Sequence, residues 1–454
     1  MKKYCLLLLF AVTCTYGQFS VNGILTKPIK NDWAILYKIE SNREVFVANT
    51  SIKMDSLFVN GVQKPISTFE FLLPNETESG TYRVTYRLKG ARFIDFIFNK
   101  ENVRFQLQPD APDATINFIE SSENQIYKAY QNEIFFKQQK LDSIQIAVLR
   151  NNVLDLNTDY KKALKEVNTV QKEFLARSQG MYIQPFIRAS LKKNALDILK
   201  TPQEYLTYIK ETYFDHFDFS DPTLINSSFL NNRVLEFVFY LNYSDDEKQQ
   251  LELYREAIDT VLSKIKDIRY KKEMIAFLIE QFEPTNQLNI IDELFTSYYN
   301  KLPLELQDSE FVAEKMKLFN TAIGRTAPDF TWTENVVTQQ LHALQGAENY
   351  LLVFWSTACS HCLREIPELY KFLKDVEKIK VIAFSLEDDA IQWEEMKKDM
   401  PNWQHVLGLG RWENETARKY TIFSTPNYFI LDKDKKIIGR PVLFEDLKTF
   451  LEQL

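Results

Sequence analysis

Cysteine is scarce in this chain. Of 454 residues only four are Cys, and two of them, Cys5 and Cys14, fall within the first fourteen. One remaining pair is no disulfide framework for a chain of this length. Excess positive charge is also lacking: 55 Lys and Arg face 62 Asp and Glu, a formal net charge of −7. That excludes nucleic acid as the main partner, because phosphate binding needs clustered positive charge. No long apolar run is present beyond the N-terminus, so no later segment reads as a membrane span. A second set of metal ligands is missing as well. His216, beside Asp215 and Asp218, has no further ligands at ordered spacing, so neither a metal nor another cofactor is expected.

What is present begins with "MKKYCLLLLFAVTCTYGQ". Lys2 and Lys3 precede a short apolar core, and Thr15 and Gly17 then supply small residues at the −3 and −1 positions of a cleavage after Gly17. This predicts a signal peptide over 1–17, hence export to the periplasm or cell envelope of a Gram-negative-type bacterium. Lipid anchoring through Cys14 is disfavoured, because Thr13 stands where a small Gly or Ala is usual.

Composition at 26% charged and 45% hydrophobic is that of globular domains, and the length predicts several. Residues 18–108 read as a β-sandwich-like domain. "GTYRVTYRL" alternates Tyr82, Val84, Tyr86 and Leu88 against polar neighbours, at strand period. Two aromatic-rich runs flank Asn99, Lys100, Glu101 and Asn102, which predicts a hairpin turn there. Residues 109–321 read as an all-α region after a proline-marked break. Tyr160, Ala163, Leu164, Val167, Val170 and Phe174 form one helical stripe, and Thr201 followed by Pro202 signals a helix start. Residues 322–454 alternate strand and helix, which predicts an α/β domain with a hairpin near 432–435.

Within it lies "STACSHCLRE", with Cys359 and Cys362 placed after an apolar strand and at the start of an amphipathic helix. A cysteine at a helix N-terminus faces free backbone N–H groups and the positive end of the helix dipole, and both stabilise a thiolate. Two intervening residues bring Cys362 round one turn, where it can resolve a mixed disulfide formed on Cys359. His361, between them, is expected to tune the couple. Zinc would need ligands the chain does not offer, and a static Cys359/Cys362 disulfide would close too short a loop to contribute much.

These residues carry a resemblance. "GRTAPDF", "LLVFWSTACSHC", "REIPEL" and "FSTPNYFILDKDKKII" are similar to the exported thiol–disulfide oxidoreductases of the TlpA/ResA-like family, which have a thioredoxin fold. The resemblance covers the last third of the chain. It implies a redox-active Cys359/Cys362 disulfide, a cis proline at Pro426, and substrate binding by Thr425 and Pro426. The buried aspartate of cytoplasmic thioredoxins is Val353 here; the family's glutamate is Glu365, three residues past Cys362, implying a raised pKa and proton exchange with Cys362. Ala358 stands where a tryptophan is common. A peroxiredoxin signature fails, because Ser356 is in place but its proline position is Leu352. The expected function is disulfide exchange with cell-envelope proteins, more in the reductive direction, with an upstream redox donor. The competing expectation is a non-catalytic envelope scaffold carrying a passive thioredoxin-like module.

Overall fold

The structure is a computed structural model. It describes residues 18–454 except 30, 31, 42, 60, 89, 152–154, 286, 335, 375 and 377. The signal peptide expected over 1–17, with Cys5 and Cys14, therefore lies outside the described residues. The chain divides into two compact units, Met1–Ile279 and Glu280–Leu454. The helical middle is thus shared between a larger unit that also holds the β-rich part and a smaller unit that holds the cysteine pair.

The first unit begins with β1 (Gln18–Leu25), β2 (Trp33–Glu40), β3 (Arg43–Ser51), β4 (Lys53–Val59), β5 (Val62–Pro74), β6 (Gly80–Arg87), β7 (Ala91–Phe98), β8 (Val103–Leu107) and β9 (Asn117–Glu120). They form two sheets, in the orders β4-β5-β1-β8-β9 and β3-β2-β6-β7. One core joins them: Val21, Phe69, Phe71 and Phe105 from one sheet meet Leu36, Tyr82, Val84 and Phe96 from the other. That is a sandwich, with strands burying alternate residues as pleating dictates. The period-two reading of β6 holds, since Tyr82, Val84 and Tyr86 are all buried.

The expected hairpin at 99–102 does not form. β7 pairs antiparallel with β6, whereas β8 pairs parallel with β1 in the opposite sheet. The same turn residues serve a crossing between sheets. Both strands carry an aromatic face, and packing these face to face across the core, as Phe96 on Phe105 at 6.1 Å, buries more than edge pairing alone. Glu101 in this crossing accepts hydrogen bonds from the Ser121 hydroxyl, from the Ser122 hydroxyl and N–H, and from the Glu123 N–H. It thereby satisfies the N-terminus of the long helix Ser122–Arg150. The sheet also runs on past 108, because β9 adds to β8 after one helical turn, Pro112–Thr115.

In the helical part, helix Asn157–Arg177 buries every residue of its predicted stripe. Helix Pro202–Thr212 starts with a full capping box between Thr201 and Glu204. His216 is half-buried, and no group of residues able to hold a metal occurs among the described residues. No helix among them is long and apolar enough to cross a membrane.

The second unit holds β10 (Thr331–Glu334) and β11 (Val337–Gln340) as a small hairpin. Its main sheet has β12 (Asn349–Trp355), β13 (Ile379–Glu387), β14 (Gln404–Leu409), β15 (Asn427–Asp432) and β16 (Ile437–Gly439), in the order β14-β13-β12-β15-β16. β12, β13 and β14 run parallel, while β15 and β16 are antiparallel to their neighbours. β12 is central and buried on both faces. Tyr350, Leu352 and Phe354 enter one core; Leu351, Val353 and Trp355 enter the other, against Ile366, Leu369 and Leu447 of two helices. The hairpin turn after Asp432 appears where it was read, with Lys435 at φ 63°. β14 was not foreseen: it is short, and Gly408 lets the Phe384 ring approach where a Cβ would lie only 2.3 Å away.

Candidate functional site

β12 delivers the chain to the site. It ends at Trp355, and Cys359 then serves as the N-cap of helix Ser360–Leu373. Its sulfur accepts from the Cys362 N–H at 3.2 Å, the place a capping oxygen would usually take. The carbonyl oxygen of Thr425 lies 3.2 Å from the same sulfur, where the thiol can donate to it. Thr425 precedes Pro426 through a cis peptide bond, in the approach to β15. Cys359, Cys362, Thr425 and Pro426 are therefore brought together, from two segments more than sixty residues apart in the chain.

The two sulfurs, both free thiols here, sit in unlike surroundings. Cys359 is half-buried and Cys362 fully buried. Burial by itself pushes the Cys359 thiol up. Hydrogen bonds from the Cys362 thiol and N–H, the Thr425 hydroxyl and the His361 N–H outweigh it, and the net displacement is downward. For Cys362, burial dominates and the adjacent Cys359 thiol adds to it, so this thiol is pushed up to about 12. One sulfur thus ionises more readily than an ordinary thiol, and its partner less readily.

His361 does not lie over the thiolate. Its ring is exposed, and Nδ1 accepts from the Arg364 guanidinium at 2.9 Å. Arginine only donates and lies one turn along the helix, so the ring turns toward it. What His361 supplies to Cys359 is its backbone N–H. Glu365 is half-buried one turn past Cys362, and its carboxylate accepts from the Tyr428 hydroxyl at 2.9 Å. Val353, where thioredoxins have their aspartate, is fully buried and pairs with Tyr428.

Two participants escaped sequence reading. Tyr428 is buried on β15; burial first, then Glu365 and the two cysteines, push its hydroxyl well above the ordinary phenol value. In sequence it stands in the continuous apolar run Tyr428 to Leu431, with nothing to single it out. Glu387, at the end of β13, is buried beneath the turn that leads into Cys359. In sequence it is one acid in a run with Asp388 and Asp389, with nothing to single it out.

Residues 347–437 match a family model described as thioredoxin-like. The chain is 26% identical over 152 residues to the thiol-disulfide oxidoreductase ResA of Geobacillus kaustophilus, covering 32% of this chain and 84% of that protein. It is 28% identical over 147 residues to a protein of the same name from Bacillus cereus, covering 31% and 80%. Among solved structures, a thiol-disulfide oxidoreductase from Bacteroides fragilis matches at 27% identity over 28% of this chain and 98% of that one, with a TM-score of 0.26. A thioredoxin-like protein from Bacteroides caccae matches at 16% identity over 57% of this chain and 97% of that one, with a TM-score of 0.35.

Proposed function

We propose that this chain, which carries a thioredoxin-like domain at its C-terminus and is similar there to the thiol-disulfide oxidoreductase ResA, exchanges disulfides with proteins of the cell envelope, in the reductive direction. The observation that carries the reading is the asymmetry of the pair: a half-exposed thiol lowered in pKa at a helix N-terminus, and a buried thiol pushed up to about 12.

The Cys359 thiolate attacks one sulfur of a substrate disulfide. The substrate S–S bond breaks, a mixed disulfide forms, and the released substrate sulfur takes a proton. The Cys362 thiol then loses its proton and attacks the Cys359 sulfur. The mixed bond breaks, the second substrate thiol leaves, and Cys359 and Cys362 remain as a disulfide. Two electrons and two protons have passed to the substrate. Glu365, one turn from Cys362 and held by Tyr428, is assigned the proton transfer of the second step. Thr425 and Pro426 offer the backbone beside Cys359 along which an extended substrate segment would lie. An upstream dithiol donor must reduce the pair again. The leader over 1–17 would deliver the protein to the envelope.

The test is reduction of insulin disulfides with dithiothreitol as electron source. Turnover is expected, and Cys359→Ala abolishes it; activity surviving that substitution refutes the reading. The couple's potential decides direction. A value near ~−270 mV, as in thioredoxin, supports a reductant, and one near ~−120 mV, as in DsbA, an oxidant.

A further inference from the structure

The turn that presents Cys359 rests on a carboxylate. Glu387, the last residue of β13, is only 5% exposed. Its Oε1 accepts from the Thr357 N–H at 2.7 Å and from the Ser385 hydroxyl. Its Oε2 accepts from the Thr357 hydroxyl at 2.8 Å and the Ser356 hydroxyl at 3.4 Å. A carboxylate removed from water needs such donors, and three of these four come from the two residues that link β12 to the cysteine turn.

Ser356 reaches the two cysteines directly. The Ser356 hydroxyl accepts from the Ala358 N–H at 3.2 Å, and the Ser356 carbonyl accepts from the Cys359 N–H at 3.2 Å. The Ser356 backbone also hydrogen-bonds the Cys362 thiol. β13 lies next to β12 in the sheet, paired residue by residue up to Trp355 with Ser385. Glu387 thus projects from a rigid strand end into the one irregular segment on which the position of Cys359 depends.

We propose that Glu387 is a positioning residue of the redox pair: by clamping Ser356 and Thr357 to the end of β13, it holds Cys359 at the helix N-terminus, where backbone N–H groups stabilise its thiolate. The clamp rests on the proposed attacking role of Cys359. Its readout, however, is the thiol's own reactivity and needs no substrate. A wild-type protein that fails to reduce insulin therefore removes that function and leaves this test standing.

The experiment is the pH profile of iodoacetamide alkylation of Cys359 in the full chain, in the Cys362→Ala background, for Glu387→Ala, Glu387→Gln and Thr357→Val. Without the clamp, the N–H groups no longer converge on the sulfur, and the midpoint moves up. A shift of half a pH unit slows alkylation below the midpoint by about threefold, the smallest effect expected for Glu387→Ala. Glu387→Gln restores most of the wild-type profile. Its amide oxygen can accept from the Thr357 N–H and its amide nitrogen can donate to the hydroxyls, which reverse their roles. If Glu387→Ala does not fold by circular dichroism, Thr357→Val, which removes only one donor, carries the same upward shift in smaller measure. Folded variants whose profiles superimpose on the parent, with only thermal stability lowered, refute the proposal and reduce Glu387 to a structural buried acid.

Discussion

The pH dependence of the Cys359/Cys362 potential follows directly from the unlike burial of the two sulfurs. Reduction of the disulfide takes up two electrons and as many protons as the dithiol holds at that pH. Each proton contributes about 30 mV per pH unit to a two-electron couple. Below the Cys359 pKa both thiols are protonated, and the potential falls by about 59 mV per unit as pH rises. Above it, only Cys362 takes a proton, and the slope halves to about 30 mV per unit. The Cys359 thiol is displaced downward, so this break lies lower than that of an ordinary exposed thiol. Cys362 is pushed up to about 12, so no second break occurs across the neutral and mildly alkaline range. Two exposed thiols would instead break together near ~8.5 and the slope would vanish above it. The measurement is equilibration with dithiothreitol or glutathione buffers from pH 5 to 10, read by fluorescence of Trp355, fully buried at the end of β12. A potential that becomes independent of pH below about 10 refutes the buried, protonated assignment of Cys362. A slope that stays near ~59 mV up to pH 9 refutes the lowered Cys359.

Three further outcomes are expected. Glu365→Gln slows release of the mixed disulfide on the order of 10²-fold in stopped-flow turnover while leaving Cys359 alkylation unchanged, and Tyr428→Phe, which removes the hydroxyl donated to Glu365, slows it less; equal turnover in all three proteins contradicts the proton role. Gly408→Ala places a methyl carbon 2.3 Å from the Phe384 ring, which is 3% exposed and cannot swing into solvent; a loss of about 1–3 kcal/mol is expected by urea denaturation, and an unchanged midpoint refutes the packing argument. Burial raises the Glu101 carboxyl, but its hydrogen bonds from Ser121, Ser122 and Glu123 outweigh this and hold it below its ordinary value. Its stabilisation is therefore present above about pH 4.3 and is lost as pH falls through the lowered value, so Glu101→Gln flattens the acid limb of the stability profile; a limb identical to wild type contradicts the capping role.

Much of this protein was legible in one dimension. The stripe of helix Asn157–Arg177, the alternation of β6, the capping box at Thr201 and the hairpin after Asp432 are local patterns, in which neighbours along the chain are also neighbours in space. The placement of the two cysteines belongs with them, because a strand, a turn and a helix N-terminus within a dozen residues put one sulfur at the cap and the other one turn behind it. What the tertiary structure alone decided involves choices between partners of equal local merit. The residues at 99–102 make a turn either way; only the gain from burying two aromatic faces against each other sent β8 to the opposite sheet. His361 could reach Cys359 or Arg364, and the guanidinium one turn along took the ring. Tyr428 and Glu387 carried no sign at all, since a tyrosine in a strand and an acid among acids acquire their roles from what β12 and its neighbours place beside them. Sequence distributes chemistry along a line; which groups lose water together, and so must satisfy one another, is settled only when the sheet closes over them.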